Sequence, residues 1–95
     1  MSESIEAIDT LHLPEVLDLQ AATSLAQAFL GRRGRDLRID GTDVQRLGAQ
    51  CLQVLLAAQA AWAADTCTLR IVNPSPSLLS ALTLLGVNSA PALLG

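Results

Sequence analysis

Apolar and polar positions change their spacing several times along the chain, and each change predicts a new element. Residues 5–17 alternate in polarity, which predicts one or two short strands. Pro14 has no N–H to donate, so we expect this region to form an edge or a bend of the sheet. After Asp18 the apolar residues recur every three or four positions, which predicts a helix from about Gln20 to Gly31.

The middle of the chain repeats this order of strand and helix. Residues 37–39 predict a short strand, and residues 40–43 form a polar turn. The longest apolar stripe then begins at Leu47 and continues with a period of 3.6 residues to about Ala64. This pattern predicts a long helix, on which we expect Trp62 to be half-buried.

The last third predicts one more strand and one more helix. Residues 68–72 alternate as a strand, and Ser75 is placed to cap a helix that begins at Pro76 and stops at Gly86. Val87 then predicts the start of a last short strand.

The alternation of strands and helices determines the predicted fold class. Parallel strands need crossover connections, so we predict an α/β fold with a four- to five-stranded mixed sheet, mostly parallel, and three to four helices. No linker divides the 95 residues, which predicts a single domain over residues 1–95 with a core at about 5–88 and a tail at 89–95.

Composition and charge exclude several classes of function. The chain has six basic residues, all Arg, against nine acidic ones, so it lacks the basic surface of a nucleic-acid-binding protein. The cluster Arg32, Arg33 and Arg35 is expected to cap the preceding helix. No apolar run approaches the ~20 residues that span a bilayer, and the N-terminus does not resemble a signal peptide. We therefore predict a cytoplasmic protein that does not insert into membranes.

The residues that carry chemistry do not form a catalytic or metal-binding set. Cys51 lies on the apolar stripe and Cys67 stands apart from it, so both are expected to be reduced. His12 has no ligand-type neighbours at metal-binding spacing. Asp40 and Asp43 lack the further carboxylates of a calcium loop and are expected to form the turn. The sequence therefore predicts a protein that is not an enzyme and has no cofactor.

Three segments carry a resemblance to a known family. They are Leu13-Pro-Glu-Val-Leu-Asp-Leu19 before a helix of small residues, Leu37-Arg-Ile-Asp40 before the long helix, and Leu69-Arg-Ile-Val-Asn-Pro-Ser-Pro76 with Leu84-Leu-Gly-Val87. In this order and spacing, residues 11–87 resemble the STAS domain, the fold shared by anti-anti-sigma factors and the cytoplasmic tails of sulfate transporters. The resemblance implies a bacterial, non-catalytic domain for protein–protein interaction in signal transduction, similar to an anti-sigma factor antagonist.

The chain departs from this family at the start of the long helix. Phosphorylatable members carry Asp-Ser-Ser-Gly or Asp-Ser-Thr-Gly there, and the position of the hydroxyl falls here on Gln50, or on Ala49 if the register slips by one. Neither residue can accept a phosphoryl group. Thr42 is the nearest hydroxyl and the sole remaining candidate, although a turn threonine usually hydrogen-bonds its own backbone. The resemblance thus implies an interaction surface without the usual phosphoacceptor.

The resemblance also suggests where a partner binds and what it is. The implied partner-binding residues are Asp40, Thr42, Asp43, Gln45, Arg46, Gly48, Gln50 and Gln53. Residues 44–56 resemble a STAS subgroup found beside bacterial chemotaxis kinases, which favours a histidine-kinase-type ATPase or an anti-sigma factor as the partner. Two alternatives stay open: a regulatory subunit that docks on the ATPase of an ABC-type phospholipid transport system, and a small module that binds an apolar ligand or lipid in its Leu- and Ala-rich core. A homodimer is also left open.

Overall fold

The computed structural model describes residues 9–85, which contain five strands and three helices. In chain order these are β1 (Asp9–His12), β2 (Val16–Leu17), α1 (Leu19–Leu30), β3 (Leu37–Asp40), β4 (Arg46–Leu47), α2 (Ala49–Ala64), β5 (Leu69–Val72) and α3 (Pro76–Leu84). The predicted strand at Val87, the helix stop at Gly86, the residues before Asp9 and the tail at 89–95 lie outside the described residues.

The strands form two separate parallel sheets. The first has the order β1-β3-β5, with Leu11 opposite Ile39 and Ile39 opposite Ile71. The second pairs β2 with β4. The predicted α/β class is confirmed, but the strands are divided between two sheets, and every strand pair within residues 9–85 is parallel. The division follows from Pro14, which has no N–H to extend the ladder after Leu13 donates to the Asp40 carbonyl at 3.0 Å.

The helix caps account for where the helices begin and end. The Asp18 carboxylate accepts the Ala21 N–H at 3.1 Å, so α1 begins at Leu19. At the other end, Arg32 donates to the Ala28 carbonyl at 3.2 Å, as predicted for this cluster. Arg33 has a different role, because it forms an ion pair with Asp65 at 2.8 Å.

Long side chains from both sheets and all three helices meet in one core, which also contains Trp62. The indole is 1% exposed, so the expectation that it is half-buried is wrong. Full burial is possible because its N–H donates to the Arg35 carbonyl at 2.8 Å, which satisfies its only polar atom. The ring also meets Phe29 edge-to-face at 5.8 Å between centroids, which joins α1 to α2.

The end of β3 packs very closely against α3 at Gly41. A Cβ atom at Gly41 would lie 2.6 Å from Leu78 Cδ2, and Leu78 is fully buried. Because Leu78 is fully buried, its side chain can move aside only by disturbing the residues packed around it, so a side chain at position 41 strains the core. This close approach holds β3 and α3 together beside the loop that precedes α2.

We predict that Gly41→Ala destabilises the protein by about 1–3 kcal/mol, because the added methyl overpacks the core at Leu78. Urea denaturation measures the change. Gly31→Ala is the matched control, since Gly31 has a helical φ of −73° and its Cβ would lie no closer than 3.7 Å to another atom. That variant should be neutral or more stable by about 0.4–1 kcal/mol. Equal losses in the two variants would contradict the close approach.

Candidate functional site

The loop between β3 and α2 is held by backbone hydrogen bonds to the segment around β2. The Glu15 carbonyl accepts the N–H groups of Gln45 at 2.7 Å and of Arg46 at 3.1 Å, and the Leu17 carbonyl accepts that of Gly48 at 2.8 Å. Arg46 and Leu47 therefore form β4, and α2 begins only at Ala49. The prediction that Leu47 opens the helical stripe is wrong, because its backbone is already engaged in this parallel pair.

Ser75 fixes the same loop from the opposite side. Its hydroxyl donates to the Val44 carbonyl at 2.5 Å and accepts the Leu78 N–H at 3.0 Å. Its own N–H donates to the Gly41 carbonyl at 3.0 Å. The predicted cap on α3 is therefore confirmed, and the same hydroxyl also ties α3 to the loop. The Val44 side chain is 1% exposed, so the middle of the loop is also held by packing in the core.

The first turn of the loop is organised by Asp40. Its Oδ1 accepts both the Thr42 N–H at 2.9 Å and the Thr42 hydroxyl at 2.5 Å. His12 Nδ1 lies 3.5 Å from Oδ2 of the same carboxylate. The bonds from Thr42, together with the nearby His12, hold the pKa of Asp40 below its ordinary value of 3.8. The prediction that Asp40 forms the turn is confirmed, and the Thr42 hydroxyl is engaged in it.

The start of α2 presents backbone without a hydroxyl side chain. Gly48 is the N-cap, with extended φ and ψ of −88° and 165°, and no side chain caps the helix. The next two residues, Ala49 and Gln50, are exposed and also lack a hydroxyl. The first N–H groups of the helix therefore stay available to a partner or to water.

Cys51 lies one residue further into the helix but is a structural residue. It is fully buried, and its thiol donates to the Asp18 carbonyl at 3.2 Å. Burial, with a smaller contribution from the Asp18 charge, raises the pKa of Cys51 above its ordinary value of 9.0. The thiolate is therefore disfavoured, although a helix N-terminus usually lowers the pKa of a thiol.

The structure places the predicted site residues at this loop and helix start with different exposure. Asp40 and Gly48 are half-buried and shape the backbone. Six others are exposed, and we call them the docking surface: Thr42, Asp43, Gln45, Arg46, Gln50 and Gln53. Gln50 and Gln53 are three residues apart on α2 and so share one face.

Two exposed apolar residues beside the docking surface were missed by the sequence analysis. Val16 is 40% exposed and pairs with Arg46 across the second sheet. Leu19 is 69% exposed at the first position of α1, although its spacing predicts the buried face of that helix. The exposure of Val16 could have been predicted from the sequence, because it alternates with the buried Leu17. The exposure of Leu19 could not, because it depends on how α1 packs against α2.

A family comparison identifies the domain. The model of the family described as "Mlab, STAS domain" matches residues 3–95. The chain belongs to the STAS domain family. A STAS domain is generally a non-catalytic binding module, and the family covers anti-sigma factor antagonist-like domains and related regulatory or transport domains. A search of curated proteins finds no match to this chain.

Two further features of the described STAS domain bear on its chemistry. Within residues 9–85, no three His, Cys, Asp or Glu side chains come together in an arrangement that could hold a metal ion. Over the same residues, no helix has the length and apolar character needed to cross a membrane.

We predict that Ser75→Ala destabilises the STAS domain by about 1–2 kcal/mol, because it removes the α3 cap and leaves the Val44 carbonyl without its donor. Chemical denaturation followed by circular dichroism measures the loss. Ser77→Ala, at an exposed position two residues later, should stay within about 0.5 kcal/mol of the unmodified protein. If both variants were equally stable, the Ser75 hydroxyl would not hold the loop.

Proposed function

We propose that this STAS domain is a non-catalytic module of the bacterial cytoplasm that binds a histidine-kinase-type signalling ATPase through its docking surface. The observation that carries the proposal is the combination of an exposed polar surface, a fixed backbone and a helix start without a hydroxyl. By the family resemblance, the acceptor position of phosphorylatable relatives falls on Gln50, or on Ala49 if the register slips by one, and both residues lack a hydroxyl.

The fixed backbone of the loop favours the binding of a partner. Gln45, Arg46 and Gly48 are held by Glu15 and Leu17, and Val44 is held by Ser75. A surface already in its bound conformation loses little conformational entropy on association, so more of the contact energy is realised as affinity. The loop therefore has the properties of a preorganised recognition element.

The missing hydroxyl determines how such a module is regulated. In phosphorylatable members, a phosphate of about −1.5 to −2 charges at the helix start blocks the partner. Here the hydroxyl of Thr42, the nearest candidate, donates to Asp40 within the turn. We infer that the docking surface is constitutively available, and that binding is controlled by the abundance or state of the partner.

The chemistry of the surface indicates the partner's complementary patch. Arg46 is exposed and forms no ion pair with another residue of 9–85. It precedes the N-terminus of α2, where the helix dipole is positive. Val16, its cross-strand partner, adds apolar area beside it, and the exposed Leu19 follows two residues after the buried Leu17. The surface thus fits a partner patch with a carboxylate facing Arg46 and a shallow apolar contact, a combination common at interface centres.

A second partner class, the ATPase of an ABC-type phospholipid transport system, is favoured by the family match, because that family includes regulatory and transport domains. It would use the same docking surface.

A lipid-binding role has less support. The apolar groove between α1 and α2, lined in part by Leu30, Val54 and Ala57, has a volume of about 250 Å³ and is open to solvent. Sites for drug-sized ligands usually occupy about 300–1,000 Å³ and enclose most of the ligand.

We predict that the double variant Arg46→Glu, Gln50→Glu weakens partner binding at least tenfold, or about 1.4 kcal/mol, because it places two carboxylates opposite an acidic patch. Isothermal titration against purified histidine-kinase-type and ABC-type ATPases of the same genome measures the affinities and separates the two partner classes.

Arg35→Glu is the control, since Arg35 is exposed in the loop before β3 and away from the docking surface. It changes the net charge in the same direction and should leave the affinity within about twofold. If the double variant bound as tightly as the unmodified domain, the docking surface would be wrongly assigned.

A further inference from the structure

Within residues 9–85, no helix covers the face of the three-stranded sheet on which Arg38 and Arg70 are exposed. Alternate residues Leu37 and Ile39 of β3, like Leu69 and Ile71 of β5, are buried in the core shared with the helices. The residues between them, Arg38 and Arg70, are exposed on the opposite face. Parallel sheets are usually covered on both faces, so an open face that carries charge requires an explanation.

Arg38 and Arg70 are direct cross-strand neighbours. They occupy the same register position on hydrogen-bonded parallel strands, which lie about 4.8 Å apart. Like charges in this arrangement repel and destabilise a sheet. Neither side chain forms an ion pair or hydrogen bond with another residue of 9–85, whereas Arg32 and Arg33 each pair with an aspartate. Within residues 9–85, two arginines therefore occupy neighbouring register positions and neither has an ion-pair partner.

A pocket of about 150 Å³ lies between these arginines and the loop ends beside them. Arg38, Arg70, Thr68, Asp36 and Leu37 line it. Asp36 Oδ1 accepts the Thr68 N–H at 2.9 Å, which fixes the start of β5 beside the end of the preceding loop. The pocket thus brings two arginines and a threonine together in a space large enough for a small anion.

We propose that this pocket is a binding site for a phosphate-class oxyanion. The fork of each guanidinium presents paired N–H donors that match the oxygens of such an anion, and one bound anion relieves the repulsion between both arginines. The Thr68 hydroxyl supplies a further donor.

Asp36 sets the strength of this site. Its carboxylate lines the same pocket and repels an anion, so it weakens binding relative to a site of two arginines alone. Among residues 9–85, the other charged groups on this face are Asp40 and His12, which lie two register positions beyond Arg38 and face each other. The site is separate from the docking surface and does not depend on the proposed function.

Titration of the full chain with inorganic phosphate and with pyrophosphate tests the proposal, with chloride at matched ionic strength as the reference. Saturable shifts of the Arg38 and Arg70 side-chain N–H signals in NMR spectra, with a rise in melting temperature, are expected for at least one probe. The probe that binds more tightly indicates whether the ligand is a single phosphate or a linked one.

Arg38→Gln and Arg70→Gln should each weaken phosphate binding at least tenfold, while Arg35→Gln should bind like the unmodified chain. In chloride alone, Arg70→Gln should be at least as stable as the unmodified chain, because the repulsion is gone. The proposal is overturned if both probes give only linear, non-saturating shifts, if Arg35→Gln lowers the response equally, or if Arg70→Gln unfolds more readily in chloride and keeps its response to phosphate.

Discussion

The hydrogen bond from the Ser75 hydroxyl to the Val44 carbonyl connects the parts of this domain on which the proposed function depends. One side chain caps α3, holds the loop before α2 and, through its own N–H, engages the carbonyl of Gly41. Gly41 also packs against Leu78. These contacts together fix the positions of the end of β3, the loop and α3 relative to one another. On the other side of the loop, the carbonyls of Glu15 and Leu17 complete its anchoring.

Because the loop is anchored, the absence of a phosphoacceptor hydroxyl bears on how the domain binds a partner. If the loop were loosely held, the absence of a hydroxyl would say little about binding, since the surface would still need to be ordered by its partner. With a fixed loop and with Gly48, Ala49 and Gln50 at the helix start, the proposed docking surface would need no covalent change before it binds. The buried Cys51 thiol, held against the Asp18 carbonyl, keeps the starts of α1 and α2 together and is not a substitute switch.

Local signals in the sequence were sufficient for most of the fold. Asp18 before α1 and Ser75-Pro76 before α3 are strong caps, so these helix starts were predicted to within a residue. The two-residue strand β4 was not predicted, because it is too short to show a period and Leu47 fits the helical stripe equally well. Its pairing depends on backbone contacts with Glu15, a residue whose side chain gives no sign of this role.

The sequence was sufficient to propose a candidate site but not to predict how its residues are arranged. The family resemblance pointed to residues 40–53, yet the half-buried positions of Asp40 and Gly48 depend on tertiary packing that no local pattern records. The same holds for Trp62, whose burial requires the Arg35 carbonyl 27 residues away, and for the exposure of Leu19. Register across β3 and β5, which brings Arg38 beside Arg70, likewise becomes visible only once the strands are paired.

Hydrogen exchange of the loop amides in the free protein tests the central claim, that the loop is fixed before any partner binds. The N–H groups of Gln45, Arg46 and Gly48 donate to backbone carbonyls, so they should exchange slowly, at rates close to those set by global unfolding. The Gln20 amide, in the first turn of α1, serves as the rapidly exchanging reference. Exchange of the loop amides as fast as that of Gln20 would contradict a preformed docking surface.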